Sequence, residues 1–328
     1  MIVYKNIDEF KKLNNAVVTI GTFDGVHFGH RKIINRLIEV ARSTGGESVI
    51  LTFFPHPRMI LHPEDSGLKL LTTIEEKAQL LEELGVDHLI ITPFTRDFSN
   101  LSAETYIRQI LVEKIGTRHI IVGYDHRFGK DREGSLYDLQ MYSAQYQYQV
   151  EEISEQDIHE VAVSSTKIRT ALLRGDVQTA ADFLGYPFTL TGKVIKGDRL
   201  GRQMGFPTAN LLVEENYKLI PCDGIYAVRA DVLSAGEDTP AGHYRGMAYI
   251  GNRPTINGMT RNIEVNLFDF DQEIYRQYLR IHFLHFIRED MKFSGLDELK
   301  AQIEKDKQDV LKLLSAEPEQ ADSELKKN

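Results

Sequence analysis

The sequence predicts an α/β domain with a parallel sheet, followed by a small antiparallel β-barrel and a C-terminal helix. Three observations predict it. Short, near-continuous apolar runs alternate with stretches of helical period through the first half. Strand-like runs separated by turn residues, without helices between them, fill the second. A single apolar stripe of helical period follows them.

In the first half the apolar runs are AVVTI (Ala16 to Ile20), SVILTF (Ser48 to Phe53), HLIIT (His88 to Thr92) and HIIVG (His119 to Gly123). Runs without polar alternation suit strands buried on both faces. Between the first two, Ile33, Ile34, Leu37, Val40 and Ala41 recur at helical spacing from Arg31 to Arg42, giving a face that covers a sheet. A second helix is expected from Thr73, which forms a capping-box spacing with Glu76, to a stop at Gly85. Two short helical patterns, SSTKIRTALLRGD and VQTAADFLG, end at glycines before Tyr186 and Pro187.

That point is the expected domain boundary, giving domains 1–186 and 187–314. The runs beyond it are FTLTGKVI, GIYAVRADVL, YRGMAYIG, NIEVNLFDF and YLRIHFLHFI. Leu296, Leu299, Ile303, Val310, Leu313 and Leu314 then share one stripe of a final helix. The polar tail 315–328 is expected to be disordered.

Composition narrows the function classes. A formal net charge of −9 and a pI near 5.7 do not suit a protein whose main partner is a long polyanion, so no nucleic-acid partner is expected. The single cysteine, Cys222, excludes an intramolecular disulfide and a cysteine-rich zinc site, which fits a reducing, cytoplasmic setting. The charged N-terminal segment lacks the apolar core of a signal peptide, and no run of 18 apolar residues occurs, so no membrane partner is expected. Oligomeric state is not legible.

The segment GTFDGVHFGH (Gly21 to His30) follows the AVVTI strand and opens a helix. Ligands bind at that end of strands in open α/β sheets. Gly21, Gly25 and Gly29 allow backbone approach to a ligand, and the helix start favours phosphate. His27 and His30, three apart in a first helical turn, point the same way and can donate hydrogen bonds to a triphosphate and to charge developing at its α-phosphorus. The plainer alternatives are a tight strand-to-helix turn with two surface histidines, or a metal pair lacking an obvious third ligand. GYDHRFGK (Gly123 to Lys130) is not a P-loop: five residues separate its glycines, and Asp131 stands where Ser or Thr is required.

GTFDGVHFGH resembles the HxGH signature of the nucleotidyltransferase superfamily, which implies a Rossmann-like domain. SSTKIR (Ser164 to Arg169) resembles that family's second phosphate motif, on a mobile loop closing over leaving pyrophosphate; alone it reads equally as an N-cap and a helix. TFFPHP (Thr52 to Pro57), LTTIEEK (Leu71 to Lys77) and the Gly123 to Gly134 segment resemble motifs of the FMN adenylyltransferase module of bacterial FAD synthetases. The likeness covers about the first 185 residues. It implies that Gly21, Thr22, Phe23, Asp24, Gly25, Asp125, Ser164, Ser165 and Thr166 bind nucleotide or flavin, and that His27, His30, Lys167 and Arg169 serve catalysis. Phe54 and His126 depart from the family pattern at positions often acidic and often aromatic.

A second chemical segment, GKVIKGDRLGRQMGFPTANL (Gly192 to Leu211), combines Gly197, Gly201 and Gly205 with Lys196, Arg199 and Arg202, a loop able to wrap an ATP phosphate chain. Thr208 and Asn210, two apart on extended chain, present two neutral oxygens to one side and can help hold Mg2+. A glycine-proline turn before a strand explains only part of this segment.

GFPTAN, GIY (Gly224 to Tyr226), IGNRPT (Ile250 to Thr255) and IEVNLFDF (Ile263 to Phe270) together resemble a flavokinase domain, from about Pro187 to Leu314. The resemblance implies that Glu264 is the base acting on the ribityl hydroxyl; a lone Glu in a strand is otherwise an exposed residue of an alternating pattern. Arg288, Met291 and Phe293 match its flavin-side segment. The joint likeness implies a bifunctional enzyme making FMN from riboflavin and ATP, then FAD from FMN and ATP, with Mg2+ in both reactions. The alternatives are an adenylyltransferase acting on another phosphorylated alcohol, such as phosphopantetheine, and a flavin-binding regulator without turnover.

Overall fold

The computed structural model describes residues 1–64, 67–154, 163–197, 200–233, 240–255 and 258–316. The expected tail beyond 316, and Arg199, lie outside the described residues. The chain divides into two compact units: Met1–Ser165 with Tyr217–Leu219, and Thr166–Asn216 with Ile220–Asn328.

The first unit is a six-stranded parallel sheet. Its strands are β1 (Ile2–Tyr4), β2 (Ala16–Ile20), β3 (Glu47–Phe54), β4 (His88–Pro93), β5 (Thr117–Gly123) and β6 (Gln149–Ile153), in spatial order β1-β4-β3-β2-β5-β6. The four apolar runs are the four central strands. Successive residues face opposite layers, as period-two geometry requires. Val18, Ile20, Val49, Leu51, Ile120 and Val122 join one apolar cluster, while Val17, Ile50, Leu89 and Ile121 join the other. Helix α1 (Phe28–Thr44) covers the second cluster with Ile34, Leu37, Ile38, Val40 and Ala41. Helix α2 (Ile74–Glu83) begins at the expected capping box: Glu76 N donates to Thr73 Oγ1, and Thr73 N donates to Glu76 Oε2.

The second unit is a closed antiparallel barrel of β7 (Thr189–Ile195), β8 (Ala209–Leu212), β9 (Gly224–Leu233), β10 (Pro240–Thr255), β11 (Gly258–Leu267) and β12 (Tyr278–Arg288), in order β10-β11-β8-β7-β12-β9. Helices α3 (Ser165–Leu173) and α4 (Val177–Leu184) precede it, and α5 (Leu296–Ala316) ends the described chain. Helix α5 packs Val310 and Leu314 against Phe206, Ala227, Met247 and Phe268.

One barrel wall carries a polar cluster with no counterpart among the sequence motifs. The two Asp231 carboxylate oxygens accept from His243 Nδ1 at 2.6 Å and His282 Nε2 at 2.8 Å. Burial by itself raises the Asp231 carboxyl, but hydrogen bonds and charge from His282 and His243 outweigh it and leave it below the ordinary value. A depressed folded value means stability that is present above the unfolded pKa and lost as pH falls through the folded one. Asp231→Asn should therefore lower stability at pH 7, with the gap to the parent closing below about pH 4. Urea titrations at a series of pH values measure it.

Candidate functional sites

In the first unit the chain runs outward from β2 through β3 to β4 and then crosses to β5 on the other side of β2, so the topological switch lies beside β2. The loop Gly21 to His27 leaves β2 at that point, where open α/β sheets bind ligands. It is an unusual loop: Phe23 and Val26 hold φ of 45° and 37°, beside Gly25 at 84°. Non-glycine residues in that region cost on the order of 1–3 kcal/mol each and persist only when neighbours fix them.

The LTTIEEK segment does the fixing. Asp24 is 2% exposed, and its Oδ1 accepts from Leu71 N at 2.8 Å and Thr72 N at 3.2 Å. Gly25 N donates to Thr72 Oγ1 at 3.2 Å. Lys77 Nζ and Thr52 Oγ1 both donate to Thr22 O, at 2.7 and 3.3 Å. Ser165 Oγ donates to Asp24 O at 3.0 Å.

The loop delivers His27 to the N-cap position of α1 and His30 to its first turn. Their rings stack, with centroids 3.6 Å apart and planes 17° from parallel. Phe23 packs edge-on against His30 at 5.3 Å. His30 Nδ1 is buried with no hydrogen-bond partner in the described structure. Burial, then charge on His27 and Lys77, holds His30 well below its ordinary value, which favours the neutral ring. Burial likewise brings the Lys77 ammonium down to about 8, against the opposing pull of Asp24. A buried ammonium and two imidazoles at a helix start form a dry, electropositive cradle.

Asp125 lies exposed in the turn after β5. Beside it, burial pushes His126 down to about 4, and its ring stacks on Phe128 at 5.8 Å. Lys167 and Arg169 are carried by α3 and count with the second unit.

In the second unit, β8 and β11 pair so that Asn210 stands opposite Glu264. Thr208 Oγ1 donates to Glu264 Oε2 at 2.9 Å, and Asn262 Nδ2 donates to Glu264 Oε1 at 2.7 Å. Gly197 fits closely here, since a Cβ would overlap the Asn210 amide. Thr208 and Arg202 also line a cavity of about 100 Å³ with Val194, Val265, Leu267 and Phe270. Thr208 and Asn210, from one motif, and Glu264, from another, are thus brought together.

Arg288, Met291 and Phe293, expected on the flavin side, sit differently. The Arg288 guanidinium makes a forked pair with Asp306, with contacts of 2.7 to 3.1 Å, and lies 5.9 Å from the Phe293 ring; Met291 is exposed. Among the described residues, no group of three or more His, Cys, Asp or Glu is placed to hold a metal ion, and no helix is long and apolar enough to cross a membrane.

Comparison with known proteins assigns a family to each half of the chain. Residues 9–167 match the FAD synthetase family model and 184–314 the riboflavin kinase model. A bifunctional riboflavin kinase/FMN adenylyltransferase of Listeria monocytogenes is 40% identical over 92% of this chain and 93% of its own. Its counterparts in Bacillus subtilis and Escherichia coli K12 are 37% and 38% identical, over 92% and 89% of this chain and 93% and 90% of theirs. The chain belongs to this bifunctional family. A solved structure described as a macrolide-efflux protein from Streptococcus pneumoniae is 30% identical, with a TM-score of 0.83 over 94% of this chain and 98% of that one.

Within the FAD synthetase part, the sequence motifs assigned no role to Lys77. Its signal was spacing: Ile74, Lys77 and Leu81 fall at i, i+3 and i+7, which places a lysine on the buried stripe of α2. Phosphate charge stabilises the protonated forms of Lys77 and His30, so a triphosphate should be bound with net proton uptake. At about pH 8 Lys77 is half protonated, and about half a proton should be taken up through it. Lys77→Met should remove that part. Titration calorimetry with ATP in two buffers of different ionisation enthalpy measures it.

Proposed function

We propose that the parallel-sheet unit transfers AMP from ATP to FMN, and that the barrel makes that FMN by phosphorylating riboflavin. The observation that carries the reading is the Thr208–Glu264 hydrogen bond with Asn210 opposite, because it assembles a base and two neutral oxygens in the barrel of a chain that also holds the paired histidines.

In the kinase reaction Glu264 takes the proton of the ribityl hydroxyl as its oxygen attacks the γ-phosphorus, and ADP leaves. Thr208 orients that carboxylate through its 2.9 Å bond. The segment with Lys196, Gly197, Arg199, Gly201, Arg202 and Gly205, which the sequence reads as a loop but in which Leu200–Met204 forms a short helix, wraps the phosphates. Hydroxyl, amide and carboxylate oxygens are the hard donors that Mg2+ takes, so Thr208 and Asn210 would hold it, and it neutralises phosphate charge when bound.

In the adenylyl transfer an FMN phosphate oxygen attacks the α-phosphorus of ATP, and pyrophosphate leaves. His27 and His30 donate hydrogen bonds to phosphate oxygens, and such donors act most strongly where charge develops. Lys167 and Arg169 neutralise the departing pyrophosphate, with Ser164, Ser165 and Thr166 supplying hydroxyl and backbone donors. Gly21 to Gly25 and Asp125 bound the nucleotide and flavin sites, and Arg288, Met291 and Phe293 flank the riboflavin ring. The limits 1–186 and 187–314 keep Lys167 and Arg169 with the adenylyl-transfer residues, whereas the structural division falls after Ser165.

Single substitutions separate the two sites. His30→Ala should lower FAD formation on the order of 100- to 1,000-fold and spare FMN formation. Glu264→Ala should lower FMN formation from riboflavin by a similar order and leave FAD formation from supplied FMN intact. Chromatography of flavins after incubation with ATP and Mg2+ reads both. Loss of both activities in either folded variant would overturn the two-site reading.

A further inference from the structure

Lys218 falls within the stretch that matches the riboflavin kinase model, yet Tyr217–Leu219 belongs to the first unit. The segment forms a short parallel bridge there: Leu70 N donates to Tyr217 O at 2.7 Å, and Leu219 N donates to Leu70 O at 2.8 Å. Lys218 is 3% exposed. Its Nζ donates to Leu71 O at 2.7 Å and to Glu76 Oε2 at 2.5 Å.

Leu71 is one hydrogen bond from the nucleotide loop, and Glu76 adjoins Lys77, which is bonded to it. Leu71 N and Thr72 N hold the Asp24 carboxylate, and Thr72 Oγ1 holds Gly25 N. The same Glu76 oxygen caps α2, the helix that carries Lys77 to Thr22 O. Stability is a poor reason for such a pair, since a buried ion pair often does no better than packed apolar side chains of equal volume. What the pair does secure is the position of Leu71, Thr72 and Glu76. An apolar side chain could not hold them, because it offers no donor.

We infer that Lys218 is a positioning residue for adenylyl transfer: its ammonium fixes the Leu71–Glu76 segment, which in turn fixes the strained loop that presents His27 and His30. It touches no substrate. The inference rests on the adenylyl-transfer reading of the first unit and adds a residue to it from the other family match.

The test uses the full chain and Lys218→Met. FMN adenylylation should fall on the order of 10- to 100-fold, mainly in kcat, since a misplacement of about 1 Å costs about that much. Riboflavin phosphorylation in the same preparation should stay within about twofold, because Leu71 and Glu76, which Lys218 Nζ holds, lie in the first unit. Lys218→Arg, which keeps a charged donor, should recover part of the loss and carries the test should Lys218→Met not fold. Hydrogen exchange of the Gly25 and Thr72 amides should quicken in both variants. Unchanged adenylylation, an equal fall in both activities, or unchanged exchange at Gly25 would overturn the inference. If the parent itself makes no FAD, the functional reading fails, and the exchange of Gly25 still decides the role of Lys218.

Discussion

The first unit depends on one buried carboxylate. Asp24 lies in the middle of a loop whose backbone is held in the left-handed region at Phe23 and Val26, and a loop so shaped relaxes unless something outside it pulls. The pull comes from Leu71 N and Thr72 N, both on a single oxygen of Asp24. That bond pair, with the bonds on Thr22 O and Gly25 N, holds what the site presents: the stacked imidazoles and the ring of Phe23 edge-on to His30. The sheet fixes where the loop leaves, and Asp24 fixes the shape it keeps.

The second unit solves its own placement problem with strand register. Pairing of β8 with β11 sets Asn210 against Glu264, and extended geometry then sets Thr208 on the same side, within bonding distance of the carboxylate. No strained loop is needed for these three, because a closed barrel makes register a global property. A slip of one residue would turn every side chain to the other face.

The parts of this architecture that could be read from the sequence are those with a local signal. The four central strands are apolar on both faces, and the capping box at Thr73 is a spacing, so both were visible. β1 and β6 were not: IVY is three residues long, and QVEEI carries only two apolar residues, because an edge strand is covered on fewer sides. Among the proposed site residues, His27, His30, Thr208, Asn210 and Glu264 could be picked out from motifs. Lys77 ends the LTTIEEK motif and carries a spacing signal but no role there, while Lys218 has neither, since lysine is ordinarily a surface residue and the bond from Lys218 to Glu76 spans 142 positions. Arg288 reads in sequence as a flavin contact, while its forked pairing with Asp306, 18 residues on, leaves no trace in composition or period.

The contrast between the two sheets also bears on how the protein keeps to itself. Among the described residues, closure gives every barrel strand two neighbours, so the strands with only one neighbour are β1 and β6 of the parallel sheet. β1 offers too few residues to recruit a second strand, although Ile2 and Val3 are exposed. β6 is longer, but it bears Glu151 and Glu152, and Arg36 clasps Glu151 through two bonds of 2.6 and 3.1 Å. Charge on one open margin and brevity on the other work against edge-to-edge aggregation, a protection with no part in the chemistry.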